Sequence, residues 1–111
     1  MAKYLYLVET SCKDPKREKE FNEWYDKVHV PDIAETPGLV KVNRYKLDKP
    51  AAGKSQYLSV YEIEAESFDA WTAGVGETMK RVGPERAFNA TLASVDSKAV
   101  YRKISSPFPK K

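Results

Sequence analysis

The chain of 111 residues carries one cysteine and one histidine. A lone thiol, Cys12, cannot close an intrachain disulfide, which agrees with a reducing compartment. One histidine and one cysteine cannot build a structural zinc site of the usual kind within one chain, and the carboxylates have no metal-loop spacing. Long apolar runs are also missing. No stretch approaches the roughly 18–20 apolar residues that cross a bilayer, and the start of the chain alternates where a secretion signal needs a continuous apolar run. A cytoplasmic protein without membrane association is therefore expected. Neither charge dominates: 19 basic and 16 acidic side chains leave +3, interspersed rather than gathered into the aromatic-studded basic stripe of a nucleic-acid binder. Phosphate-cradling loops fail on spacing. Gly53-Lys54-Ser55 would need glycine where Asp48 stands, and Gly74-Val75-Gly76 lacks the third glycine and the preceding strand of a dinucleotide site. No cofactor is expected from these patterns.

Hydrophobic residues make up 41% and charged residues 32%, the balance of one soluble globular domain. Residues 1–104 are expected to form it, followed by a short extended tail at 105–111 containing Pro107 and Pro109. Lys3 to Glu9 predicts a strand with apolar groups on both faces, so both faces need cover. Cys12 falls in the loop beyond it. Asp14-Pro15 supplies an N-cap and an early proline, and Phe21, Trp24, Tyr25 and Val28 follow at helical spacing, predicting a helix over about 15–30. Pro31 removes a donor and predicts a kink near His29 and Val30, before Thr36-Pro37-Gly38 ends the segment. A second strand runs from Leu39 to Leu47, with Val40 and Val42 on one face and Leu39, Tyr45 and Leu47 on the other. In a third, Tyr57 to Ile63, Leu58 and Val60 oppose Tyr57, Tyr61 and Ile63. Ser67 caps a second helix with Phe68, Trp71, Val75, Met79 and Val82 on its apolar side, weakened by Gly74 and Gly76 and ended by Gly83-Pro84. The last strand lies between Leu92 and Ile104, with Asp96 to Lys98 as a candidate interruption.

The order β-α-β-β-α-β is that of the α+β ferredoxin-like fold, a four-stranded antiparallel sheet with two helices on one face. The other face carries tyrosine, leucine and isoleucine, which a monomer would leave in water as a large apolar patch. A homodimer that covers it with one self-complementary interface is the expected assembly.

Chemistry concentrates in the stretch from Phe21 to Asp32, which contains the only histidine. At about 100° per residue, His29 lies on the flank of the apolar stripe one turn beyond Tyr25, where it can face a cleft. Histidine exchanges a proton near neutrality, and Asp26 or Asp32, three residues to either side, could orient its ring. The structural alternative is a ring packed beside Tyr25 and bonded to a carbonyl or carboxylate at the kink. Trp24 and Phe21 suit a core better than a ligand contact, and Asp26 and Asp32 suit a helix surface better than the orienting of a base.

The residues Trp24, Tyr25, His29 and Pro31 resemble the W-Y-x-x-x-H-x-P signature of the EthD-like and related dimeric α/β barrel proteins, over about residues 21–45. The resemblance implies homodimerisation and a cleft in each subunit between the helices and the sheet. Members of that superfamily include cofactor-free monooxygenases on aromatic polyketides, cyclases, lactone isomerases and haem-modifying enzymes, so it implies no single reaction. Strand tyrosines add to the picture: Tyr6, Tyr45, Tyr57, Tyr61 and Tyr101 suit a pocket for a flat oxygenated ligand, and an interface equally well. Arg44 and Tyr45 fall on opposite faces of their strand, so at most one shares the cleft with His29. Tyr45 is the expected one, and Arg44 is either a carboxylate binder or a salt-bridge partner.

The expected function is a small cofactor-independent enzyme acting on an aromatic, polyketide-like or lactone substrate. His29 would be its general acid or base with Asp26 behind it, Tyr45 or Tyr61 would hold a carbonyl or hydroxyl, and Trp24, Tyr25, Tyr57 and Arg44 would contact the ligand. A non-catalytic protein that binds a hydrophobic metabolite is the first alternative, and a haem protein with His29 as axial ligand the second.

Overall fold

A computed structural model of the chain describes residues 1–83, 86 and 88–111. Four strands, β1 (Ala2–Cys12), β2 (Leu39–Lys46), β3 (Tyr57–Ala65) and β4 (Ala93–Arg102), form one antiparallel sheet in the order β2-β3-β1-β4. Helices α1 (Glu18–Trp24), α2 (Val30–Ile33) and α3 (Phe68–Val82) cover one face of it. This is the α+β ferredoxin-like arrangement that the element order predicts. Among the described residues no helix is long and apolar enough to cross a membrane. Pro84, expected to end α3, lies outside the described residues; Gly83 does cap that helix, at φ 95° with its N–H on the Met79 carbonyl.

Period-two burial decides which face is inside. Tyr57, Ser59, Tyr61 and Ile63 of β3 are buried while Leu58 and Val60 are half-buried on the opposite side, and pairing sets Tyr6 against Tyr61 and Val8 against Ser59. Tyr4, Tyr6 and Val8 of β1 therefore join the helix side. The core has two parts. Cys12, Phe21, Tyr25, Tyr57 and Leu92 pack under α1, and Val8, Ile33, Tyr61, Ile63 and Trp71 pack under α2 and α3.

Three local expectations are corrected. Cys12 is the last residue of β1 and is buried against Phe21, because β4 continues the pairing as far as Ala93. Asp96 does not break β4: Glu9 pairs with Ser97 and Thr10 with Val95, so Asp96 is the extra residue of a bulge. Burial would raise its pKa, but hydroxyl bonds from Ser11 and Ser55 at 2.6 Å and Ser94 at 3.0 Å outweigh that and hold the carboxyl below its ordinary value. In β2 a register shift between Leu39 and Lys41 turns both Leu39 and Val42 to the core and leaves Val40 exposed, where strict alternation had Leu39 opposing Val42. Gly74 is a close-approach point as well as a poor helix former. A Cβ there would lie 3.2 Å from Thr36 Cγ2, beside the buried 2.9 Å hydroxyl bond between Thr36 and Thr78 that ties α3 to the end of α2.

The first helical segment forms as its residues dictate. Asp14 caps it by accepting from the Lys16 N–H at 3.0 Å, and Pro15 begins a 3-10 turn. The kink expected at Pro31 is a widened turn at Tyr25–His29, in which the Val30 N–H reaches back five residues to the Tyr25 carbonyl. Pro31 follows at once, so the donor it lacks falls where the helix changes from the wide to the ordinary bonding pattern.

Candidate functional site

The widened turn sets the orientation of His29. Its ring stacks on Trp24, with centroids 4.7 Å apart and planes at 23°, and meets Tyr25 edge-on at 5.2 Å and Phe88 at 6.5 Å. In front of it lies a cavity of 430 Å³ between the sheet, the widened turn and α3, a size that accommodates a small organic ligand. Val8, Ile33, Val75, Met79 and Val95 supply aliphatic surface, the rings of Tyr6, Tyr25, Tyr61, Trp71 and Phe88 supply aromatic surface, and Thr72 and Lys98 add polar atoms. A second depression of 410 Å³, at Lys3, Leu5, Glu62 and Tyr101, lies toward the opposite face of the sheet and contains no histidine.

Three phenols enter the cavity from different elements: Tyr6 from β1, Tyr25 from the widened turn and Tyr61 from β3. Burial pushes the Tyr61 hydroxyl far above its ordinary pKa, with the neighbouring Tyr25 adding to the rise. Burial likewise raises Tyr25, against a hydrogen bond with Thr10 and the charge of Arg44, and Tyr6. All three are hydrogen-bond donors at neutral pH. The folded state thus prefers the neutral phenol, so the linked stability is fully present below about pH 10, where a free tyrosine begins to ionise, and is lost as pH rises toward the folded-state values. Melting temperatures recorded from pH 9 upward should fall steeply above about pH 10, and Tyr61→Phe should flatten that fall while leaving the neutral-pH melt nearly unchanged.

The sequence-predicted residues separate into two groups. His29, Tyr25 and Tyr61 share the cavity. Tyr45 does not: it is 53% exposed on the far side of β2, and the expectation that it would share the cleft is reversed, because alternation gives the inner position to Arg44. Arg44 points inward yet stops short of the cavity. Its guanidinium lies 4.5 Å over the Tyr25 ring and donates to Asp26 at 2.8 Å and Asn22 at 3.0 Å, locking β2 to the first helical segment. Asp26 is therefore spoken for by Arg44, with its side chain 63% exposed. Asp32, the other carboxylate near His29, is buried and bound by Arg86 at 2.7 and 3.1 Å. Trp24 backs the histidine from outside the cavity, packed on the core with Phe88. Tyr57 sits at the α1 end, against Phe21 and Asn22, and is a core residue.

Trp71, Val75, Gly76, Met79, Phe88 and Lys98 line the cavity without having been singled out as ligand contacts. The apolar side of α3 was legible as a stripe, but a stripe that packs on a core and one that walls a cavity have the same period. Gly76 is the informative member. A Cβ there would meet nothing within 4 Å, so the helix forgoes about 0.5–1 kcal/mol at a lining position where crowding does not demand glycine. Gly76→Ala should raise the melting temperature by several degrees, and Gly76→Phe should fill the space and abolish ligand binding while still folding.

Comparisons with known proteins bear on this geometry at the level of fold. The chain resembles the solved structure of SnoaB, a cofactor-independent oxygenase from Streptomyces nogalater, with a TM-score of 0.68 and 11% identity over 99% of this chain and 100% of that one. A dimeric ferredoxin-like protein from an uncultured marine organism gives 0.66 and 16% over 96% and 100%. An EthD family protein from Bacillus halodurans gives 0.55 and 16% over 94% and 100%. Curated proteins return no match. Residues 3–97 match the model of a domain of unknown function, DUF4286, and with most of its length inside that match the chain belongs to the DUF4286 family.

Proposed function

We propose that the protein is a homodimeric, cofactor-independent enzyme of the EthD-like kind that acts on a flat aromatic, polyketide-like or lactone substrate, with His29 as general acid or base. The observation that carries this reading is the placement of His29 at an aromatic-walled cavity of 430 Å³, its ring held between Trp24 and Tyr25. A substrate lying among the rings of Tyr6, Tyr61 and Trp71 would bring an acidic C–H next to a carbonyl against His29. His29 takes that proton, and the charge moving onto the carbonyl oxygen is met by the Tyr25 and Tyr61 hydroxyls, which burial keeps protonated. A ligand seated against the apolar walls would displace water from them and so strengthen both interactions. The indole N–H of Trp71, buried on the same wall with no acceptor among the described residues, is a further donor for a ligand oxygen.

The test is proton exchange on an anthrone, a flat ketone with an acidic C–H, followed by NMR in D2O. Wild type should accelerate the exchange, His29→Gln should lose about 10²–10⁴-fold of the acceleration, and the Kd for the anthrone should change little. Saturable binding with no exchange in wild type would instead make the chain a binding protein that uses the same cavity.

The uncovered sheet face supports the dimer. Leu5, Tyr45 and Tyr101 are 42%, 53% and 58% exposed there, flanked by half-buried Leu7, Leu58 and Val60. Tyr101→Glu combined with Leu5→Glu should convert a dimer to a monomer in sedimentation velocity; an unchanged sedimentation coefficient would place the interface elsewhere.

A further inference from the structure

We infer that the ligand of the His29 cavity is an anion, an aromatic carboxylate whose charged end pairs with Lys98 while its ring system lies among the aromatic walls; this rests on the reading of the cavity as a small-molecule site. Lys98 lines the cavity. It reaches that position through the register of β4, where it pairs with inward-facing Val8 and so stands on the helix side of the sheet. Among the described residues it forms no ion pair. The described lining contains no aspartate or glutamate, and apart from His29 it contains no other titratable cation. The cavity's charge is therefore one-sided. The basic side chains that reach the sheet from β2 are paired, Arg44 with Asp26 and Lys46 with Glu18. A fixed positive charge beside low-dielectric aromatic walls attracts an anion and disfavours a cation of the same shape. Lys98 is both exposed and part of the lining, which places it at the mouth, so the carboxylate would stay near water while the rings go inward. His29 and the phenols then face the uncharged part of the ligand, where the proposed chemistry needs them.

An inward-pointing charge on an edge strand can also serve only to prevent pairing with other chains. The experiment separates the two. Benzoate, 2-naphthoate and anthracene-2-carboxylate, and the corresponding primary amides, are titrated into wild type, Lys98→Met and Lys98→Arg, with binding read by calorimetry and tryptophan quenching and folding checked by circular dichroism. Wild type should bind at least one acid more tightly than its amide. Lys98→Met should weaken that acid by roughly three- to tenfold and leave the amide unchanged, and Lys98→Arg should restore it. Acids and amides that bind alike, or a Lys98→Met variant that binds the acid as wild type does, with or without aggregation, would overturn the anion assignment and leave the aromatic site standing. If no acid or amide binds wild type, the aromatic site itself falls and the anion assignment with it.

Discussion

Replacing Phe21 by alanine is expected to cost about 3–5 kcal/mol and to lower the melting temperature by roughly 12–40 °C. Phe21 is fully buried, with its ring 5.1 Å from that of Tyr25 and 4.9 Å from that of Tyr57. The same ring lies 5.6 Å from the Arg44 guanidinium, so truncation opens a hole beside a charged group that is itself only 14% exposed. A domain of this size has about 5–15 kcal/mol of stability in total, and the variant should sit near or past its folding threshold at 37 °C. Thermal and urea melts followed by circular dichroism would measure the loss, and Phe21→Leu should recover much of it. A Phe21→Ala protein that melts within a few degrees of wild type would mean that the α1 half of the core contributes little.

Gly38→Ala should be nearly as damaging although it adds only a methyl group. Gly38 has φ 99°, and a Cβ there would lie 2.8 Å from the Glu64 carbonyl oxygen and 3.2 Å from Trp71 Cδ1. The backbone conformation alone costs a non-glycine residue about 1–2 kcal/mol, and forcing the strand away from the methyl costs roughly another 1–3 kcal/mol. The Glu64 N–H donates to the Gly38 carbonyl at 2.8 Å, so displacement would loosen the pairing at the start of β2. Trp71 walls the cavity, and Gly38→Ala should therefore weaken ligand binding as well as lower the melting temperature. If stability falls and binding by the surviving folded protein is unchanged, Trp71 does not contribute to the site through this contact.

Much of the fold was legible because it follows from short-range rules. Asp14-Pro15 and Ser67 act as helix starts through their own side chains and backbones, and both were found where capping chemistry puts them. Period two alone grouped Tyr57, Tyr61 and Ile63 of β3 against Leu58 and Val60, but because both sets are apolar only the structure showed which is inside. Register shifts were not legible. Asp96 reads locally as a turn residue, and only its three serine partners, from β1, the β2–β3 loop and β4, show that it is a bulge held in place. The shift at Leu39–Lys41 was hidden for the same reason: pairing partners far along the chain set the count.

The candidate site shows the same division. The sequence by itself determined that His29 is the one histidine, that Tyr25 stands one turn before it, and that a proline follows where the helix must change its pitch. It also determined that Arg44 and Tyr45 cannot both face inward, without deciding which does. Tertiary structure decided that Arg44 takes the inner place, that Asp26 and Asp32 answer to arginines from β2 and from beyond α3, and that Trp71, Gly76 and Lys98 meet His29 around one cavity. Helical and strand periods state which residues share a face of one element; which faces meet, and whether they close into a packed core or leave a cavity, depends on how distant elements are registered against each other.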